Sequence, residues 1–417
     1  MSSQPENGEE RPFVAVIGGG PAGLMAADRL SAAGCRVTVY EHMPSVGRKL
    51  LMAGRGGLNL THGEDLHRFL ARYDPGGEAL LRAIKAFPPE ALRAWADGLD
   101  AETFVGSSGR VFPRAMKASP LLRAWLARLD RQGVRVLTRH RWLGWHEDGA
   151  LLFREANGQL ISVRAAATLL ALGGASWPRL GADGAWTEIL AARGVPIAQL
   201  APSNMGFDIA WSERFRDRFA GQPLKPVRLS HDGASVRGEA MITRYGIEGG
   251  AVYALSSRLR TTIERKGRAL LTADLRPDLD AERIADRLVR RRRGESRSNA
   301  FRKAVGLTPL AIGILHEATA GAVPTDPVAL AALVKAVPLA LTGVQPIARA
   351  ISSAGGIRFD AVDEHFMLKA LPGTFVAGEM LDWDAPTGGY LLQGAFATAV
   401  AAATGIAVWL GSEMHAR

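Results

Sequence analysis

Three glycines near the start of the chain carry the most chemical content. Gly18, Gly20 and Gly23, in Gly18-Gly19-Gly20-Pro21-Ala22-Gly23, keep the G-x-G-x-x-G spacing. That spacing allows a tight turn, lets backbone N–H groups approach a pyrophosphate, and seats a helix close to a sheet. Pro21 and Ala22 open the helix whose N-terminus would face the phosphate charge. Glu41 follows at the end of the next apolar run, where a carboxylate accepts hydrogen bonds from adenosine ribose hydroxyls and repels a 2′-phosphate. The expected ligand is therefore FAD or NAD and not NADP.

Two further glycine sites ask for the same explanation. Ala167 to Leu172 reads as an apolar strand ending at Gly173-Gly174, and Gly373 to Glu379 as another, with Gly378 and Glu379 at its end. Gly388-Gly389-Tyr390-Leu391-Leu392-Gln393 then opens a long Ala-rich helix. Between Gly47 and His62 lies a loop in which Arg48, Lys49 and Arg55 either face phosphates or are exposed loop charges. Gly54, Gly56 and Gly57 in that loop suit close approach of a flat ligand. If one cofactor is held by all of these, the first and last segments of the chain must converge.

The remaining chemistry is limited by what is missing. One cysteine, Cys35, forms neither an internal disulfide nor a C-x-x-C pair, so redox chemistry must come from a cofactor. The nine histidines show no H-E-x-x-H spacing, and no catalytic metal is expected. Tyr245, Tyr390 and Asp384, in glycine-rich segments, are candidate proton donors; each has a structural alternative, a buried hydroxyl satisfying backbone or an Asp favoured before a Pro turn. Ser176 and Trp177 either wall the ligand or pack in the core.

The elements that must position these residues follow from hydrophobic period. Phe13 to Ile17, an apolar helix and Arg36 to Tyr40 form a β-α-β unit. Helical period runs through Ala79 to Leu99 and Leu121 to Leu129, and Val134 to Leu137, Leu151 to Arg154 and Leu160 to Val163 read as strands of a meander or hairpin layer. From about Pro196 the pattern changes to short β runs, including Val227 to Leu229 and Glu239 to Ile242, then charged helices between Asp280 and Lys303. The expected fold class is α/β: a discontinuous Rossmann-like FAD-binding domain, residues 12–194 and 346–417, interrupted by a mainly-β, barrel-like domain with a helical excursion at 195–345. Residues 1–11 read as a polar, disordered tail.

Composition adds boundaries. A chain of 417 residues that is 47% hydrophobic can bury more than one core. No basic start precedes an apolar stretch, so no signal peptide is expected and the chain reads as cytoplasmic. Gly394 to Gly411 approaches the length of a membrane span, but its Ala, Gly and Thr content favours a packed internal helix, and no membrane partner is expected. The net charge of +10 suits anions. Its densest run, Arg290 to Arg293, is either a solvated helix face or an RNA contact; without interleaved aromatic residues no nucleic-acid partner is expected.

Together the motifs resemble the two-dinucleotide-binding-domain flavoproteins, and more closely the BaiN-like family of bacterial NAD(P)/FAD-dependent oxidoreductases. The matching stretches are VAVIGGGPAGLMAADRL, GRKLLMAGRGGLNLTH, GRVFPRAMKAS, LLALGGASWPRLGADG, ITRYGIEGG, SSAGGIRF and FVAGEMLDWDAPTGGYLLQGAF, in order along the chain. The resemblance implies that Gly378 and Glu379 hold the ribityl and pyrophosphate part of FAD, that Gly388, Gly389 and Gln393 present a helix N-terminus to the flavin pyrimidine, and that Arg55, Gly56, Gly57, Asn59 and Thr61 run beside the isoalloxazine ring. Two positions depart from the family: Leu58 stands where cysteine is common, and Leu391 where asparagine is common. The first removes thiol chemistry at the flavin and the second a polar contact.

The expected function is FAD-dependent reduction of a small hydrophobic or conjugated substrate by hydride from flavin N5. NAD(P)H is the expected transient donor and a redox partner protein the alternative, since no second strand-coupled G-x-G-x-x-G is present. Two rival readings are a flavin-dependent RNA-modifying enzyme and an FAD-binding protein without turnover.

Overall fold

The computed structural model describes residues 11–73, 76–290 and 301–415; the side chains of Arg55 and of residues 413–415 lie outside the description. Residues 1–10 and the Arg291 to Arg293 part of the basic run also lie outside the described residues. The chain divides into two compact units, Met1–Ala201 with Ser352–Arg417, and Pro202–Ile351.

The first unit is built on a five-stranded parallel sheet. Its order is Thr374–Val376, Ala167–Leu170, Phe13–Ile17, Arg36–Glu41, Arg135–Thr138. Val14 to Ile17 are at most 1% exposed, as a parallel strand covered on both faces requires. Leaving Phe13–Ile17, the chain goes to one side for its second strand and to the other for Ala167–Leu170, so the strand order reverses there. Such a reversal opens a crevice at the carboxyl ends of the strands. Gly18, Gly173 and Gly378 all lie just past those ends.

Helix Pro21–Ala32 packs against the long helix Tyr390–His415. Both helices bury small side chains, Ala22, Ala26 and Ala27 on one and Ala397, Ala399 and Ala402 on the other. By length and hydropathy the stretch Tyr390–Ser412 could cross a membrane, yet 56% of its apolar window is buried inside the protein.

Two expectations change. Val134 to Leu137 does not join a meander: Arg135–Thr138 pairs in parallel with Arg36–Glu41, and the antiparallel layer is Arg141–Trp145, Leu151–Arg154 and Leu160–Val163. Alternation is the same in both settings, and only the partner distinguishes them. The helical period of Ala79 to Leu99 is split at Phe87-Pro88 into Gly77–Ala86 and Pro89–Asp97, because a proline ends the helix before it.

The second unit is a seven-stranded antiparallel sheet in the order Val337–Leu341, Ala269–Asp274, Pro223–His231, Ala234–Ile242, Gly246–Glu248, Phe207–Asp208, Gly343–Val344. Its core joins Phe207, Val227, Leu229, Ile247 and Leu271 from the sheet to Ile284 and Ile314 from helices Ala281–Val289 and Pro309–Ala318. The strand beginning at Ile197 pairs with the one beginning at Ser352, so the units divide at 201/202 and 351/352 and not at 194/195 and 345/346. The architecture is a discontinuous Rossmann-like fold with an inserted mainly-β domain.

Candidate functional site

The first glycine loop explains itself only in part. A Cβ on Gly18, whose φ is +109°, would lie 2.3 Å from the Ala171 carbonyl oxygen, and one on Gly23 would lie 1.9 Å from the Gly18 carbonyl oxygen. Those two are glycine because the backbone leaves no room. Gly20 differs: its φ of −84° and ψ of −177° suit any residue, and a Cβ there meets nothing within 4 Å. The open space lies at the N-cap of a helix whose end no side chain caps. Glu41 is fixed beside it, accepting from the Gly19 N–H at 2.8 Å and the Met43 N–H at 2.8 Å, one on each oxygen. A carboxylate has further lone pairs to offer.

The distant segments converge here. Gly378 has φ +82°, and a Cβ on it would meet the Ala22 methyl at 2.8 Å, so the end of the last strand touches the start of the first helix. Beside it the Glu379 carboxylate accepts from the Ser353 N–H at 2.9 Å and from Lys49 Nζ at 2.8 Å, with the Gly174 N–H at 3.4 Å. Lys49 Nζ also donates to Ser176 Oγ at 2.8 Å. Lys49, Gly174 and Glu379 thus form one network. Gly174 must be glycine, since a Cβ would fall 2.4 Å from Ser353 Oγ. Arg48 donates to Ser45 Oγ at 3.2 Å, while the Arg55 side chain lies outside the described residues.

In the following loop Leu58 and Leu60 are fully buried and hydrogen-bonded to Met116 and Val111, which turns Asn59 the other way. Asn59 Oδ1 is buried with no hydrogen-bond partner among the described residues. Gly57 has φ +109°, a conformation open to glycine, and Gly56 faces open space.

Thr61 and Gln393 join the loop to the helix start: both are fully buried and bonded to each other, Thr61 Oγ1 donating to Gln393 Oε1 at 2.8 Å. Gln393 Nε2 donates to the Phe87 carbonyl at 2.6 Å. A buried amide must satisfy its own donors and acceptors, and these are used inside the protein. Gly389 is explained by the same contact, because a Cβ on it would lie 2.5 Å from the Thr61 backbone. Gly388 has φ +134° and packs beside the Tyr390 ring.

Of the candidate proton donors, Tyr390 has the most organised surroundings. Its hydroxyl donates to Glu64 Oε1, Glu64 takes a forked ion pair from Arg72 at 3.2 and 3.0 Å, and the His62 ring stacks on Tyr390 with centroids 5.5 Å apart. Burial, then the Glu64 carboxylate, push the Tyr390 phenol well above its ordinary value. Burial alone would raise Glu64, but the Arg72 guanidinium and the Tyr390 hydroxyl outweigh it and hold the carboxyl below the usual range. Burial lowers His62. His62 Nδ1 accepts from the Glu64 N–H at 3.1 Å, which leaves the proton on Nε2, 3.2 Å from the Ser108 carbonyl. Sequence reasoning missed His62, Glu64 and Arg72; the available signal was a histidine and a glutamate within three positions of Thr61.

Asp384 is 4% exposed, and its Oδ1 accepts from the Ala385 N–H at 2.8 Å. Tyr245 belongs to the second unit, where its hydroxyl donates to Glu248 and burial followed by that carboxylate raises its phenol far above the ordinary value. Near Glu41 the first unit has a cleft lined by Gly18, Tyr40, His42, His140, Arg141 and Trp186, among others.

These features fit FAD. Open space at Gly20, the N-cap of an uncapped helix and a glycine the backbone does not itself require, and the orphaned Asn59 amide oxygen are two places where the protein is incomplete alone.

The chain matches the family model for the HI0933-like protein Rossmann domain over residues 12–405. It is 25% identical over 412 residues to the 3-dehydro-bile acid delta(4,6)-reductase of Clostridium scindens, covering 92% of this chain and 96% of that protein. It is 24% identical over 416 residues to the ribosomal RNA dihydrouridine synthase of Escherichia coli K12, covering 94% and 98%. Among solved structures, a flavocytochrome c3 fumarate reductase shares the fold with TM-score 0.52 at 15% identity, over 96% of this chain and 79% of the other. So does the 3-ketosteroid delta1-dehydrogenase of Sterolibacterium denitrificans, with TM-score 0.52 at 13% identity over 95% and 99%. A match running through both segments of the Rossmann-like unit shows that the chain belongs to the HI0933-like Rossmann-domain family, as a flavoprotein of the oxidoreductase class.

Proposed function

We propose that this protein binds FAD in the crevice of the first unit and reduces a ring carbon–carbon double bond conjugated to a carbonyl, with NAD(P)H as electron donor. The reading is carried by the convergence of the first helix start with the end of the last strand, where a Cβ on Gly378 would meet the Ala22 methyl at 2.8 Å beside Gly20 and the fixed Glu41 carboxylate; Asn59 and the Tyr390–Glu64–Arg72 cluster belong to the same unit. The Gly20 turn and the first helix N-terminus would hold the pyrophosphate and Glu41 the ribose hydroxyls, and Asn59 Oδ1 would accept a hydrogen bond from the cofactor. FAD, when bound, supplies hydride transfer. Tyr390 Oη keeps its proton throughout the physiological pH range, since burial and Glu64 both disfavour the phenolate, and so holds one for the substrate carbon. Glu64, paired with half-exposed Arg72, connects that hydroxyl to solvent. The relatives named for a 3-dehydro-bile acid and for dihydrouridine support the reaction type: a 3-oxo ring with conjugated double bonds and a uracil ring share a carbonyl-activated C=C.

The test is reconstitution with FAD, anaerobic bleaching with NADH or NADPH, and reoxidation by enones and quinones. Bleaching followed by reoxidation with an enone is expected. Failure to retain FAD rejects the cofactor, and FAD that no donor bleaches favours a protein without turnover.

A second reading, a uracil ring within RNA, rests on where the charge lies. Residues 202–351 hold 24 Lys and Arg against 15 Asp and Glu, net +9, and the rest of the chain 27 against 26, net +1. RNA binding that weakens with salt, together with dihydrouridine formation, would support it over a free small molecule.

A further inference from the structure

We propose that Trp177 and Met116 are specificity-determining residues that clamp a planar, largely apolar ring; the inference rests on the reading of the site given above. Among the described residues, three large apolar side chains occupy the left-handed region of backbone space: Met116 with φ +56°, Trp177 with φ +59° and Phe366 with φ +64°. A bulky residue there is an outlier that the surroundings must hold in place. Phe366 is 1% exposed, and core packing accounts for it. Met116 and Trp177 are 39% and 37% exposed, so it does not account for them. Glycine or asparagine would adopt the same backbone without strain and without an apolar side chain in water. Folding therefore disfavours both side chains on two counts.

Hydrogen bonds hold each backbone in the strained form. The Met116 N–H donates to the Pro113 carbonyl at 2.8 Å and its carbonyl accepts from Leu58 at 3.0 Å, while the Trp177 carbonyl accepts from Leu180 at 2.8 Å. Met116 lies against the loop that carries Gly57, and Trp177 directly follows a residue bonded to Lys49 of the helix that leads into it. The Met116 methyl stands 2.9 Å from where a Cβ on Gly57 would be, next to Asn59. Trp177 follows Ser176, whose hydroxyl takes the Lys49 hydrogen bond at 2.8 Å. An indole face and a flexible thioether are both polarisable surfaces suited to the faces of a flat ring.

The experiment uses FAD-loaded protein carrying Trp177→Gly, Met116→Gly or Trp177→Phe. Without any reductant, binding of 4-androstene-3,17-dione and of menadione is followed by perturbation of the flavin absorbance, alongside FAD affinity and Tm. The glycine variants are expected to keep or raise Tm, to change FAD affinity by no more than about twofold, and to weaken binding of at least one probe by about tenfold, with Trp177→Phe restoring most of it. A fall in Tm with probe binding unchanged, a loss of FAD, or no binding of either probe to the unaltered protein would overturn the clamp. Probe binding without turnover counts against the proposed reaction and leaves the clamp standing.

Discussion

At the scale of residues, the glycines of the first loop separate into two kinds, and substitution tells them apart. Gly18→Ala and Gly23→Ala drive a methyl into backbone oxygen, so each is expected to destabilise the apoprotein by at least about 1–3 kcal/mol. Gly20→Ala places its methyl in open space and leaves apoprotein Tm unchanged, while FAD affinity measured by fluorescence titration falls by about tenfold, roughly 1.4 kcal/mol. Equal loss of Tm in all three would refute the distinction. Asn59 tests the same idea from the opposite side. Its oxygen is orphaned, and leaving a buried acceptor unmade costs about 1–3 kcal/mol. Asn59→Leu is therefore expected to raise apoprotein Tm and weaken FAD; a variant that lowers Tm and binds FAD normally would show that Asn59 is structural.

At the scale of elements, the loop carrying His62 and Glu64 is tied to the start of the C-terminal helix through Tyr390, and that joint is sensitive to acid. His62 and Glu64 both titrate below their ordinary values of 6.5 and 4.5 in the folded protein. Groups held that way contribute stability above the ordinary value and lose it as pH falls through the lowered one. Melting temperature is expected to fall on acidification below pH 6.5, and again below 4.5. Tyr390→Phe removes the hydroxyl bonded to the carboxylate, at a cost of about 1.5–3 kcal/mol near neutral pH, and raises Glu64 toward its ordinary value. The variant should thus show a shallower loss below pH 4.5. A Tm profile parallel to that of the unaltered protein from pH 4 to 7 would contradict the link.

At the scale of the whole molecule, charge and fold are divided unevenly. The Rossmann-like unit is nearly neutral and the mainly-β insert carries almost all of the excess positive charge. A protein that neutralises six or more phosphates loses roughly a thousandfold in affinity or more between low and physiological salt. If RNA is the substrate, band-shift titrations across a salt series should show such a slope. No binding even at low salt would leave a small molecule as the substrate.

Much of this was legible before any coordinates. The β-α-β unit is written in the period of neighbouring residues, and the glycine spacing with Glu41 follows from the geometry of one turn, so local rules reach them. So do the strand ends at Gly173 and Gly378. What local rules did not reach were partnerships between distant residues. Arg135–Thr138 reads the same in a meander as at the edge of a parallel sheet. Nothing local announces that Thr61 bonds Gln393, or that Tyr390 meets a carboxylate 326 positions away in the chain. The sequence by itself determined which segments turn, extend or coil, because those choices depend on a few neighbouring side chains. Only the tertiary structure decided which polar groups are satisfied within the protein and which are left open to a ligand, because that depends on burial by elements folded back from the far end of the chain.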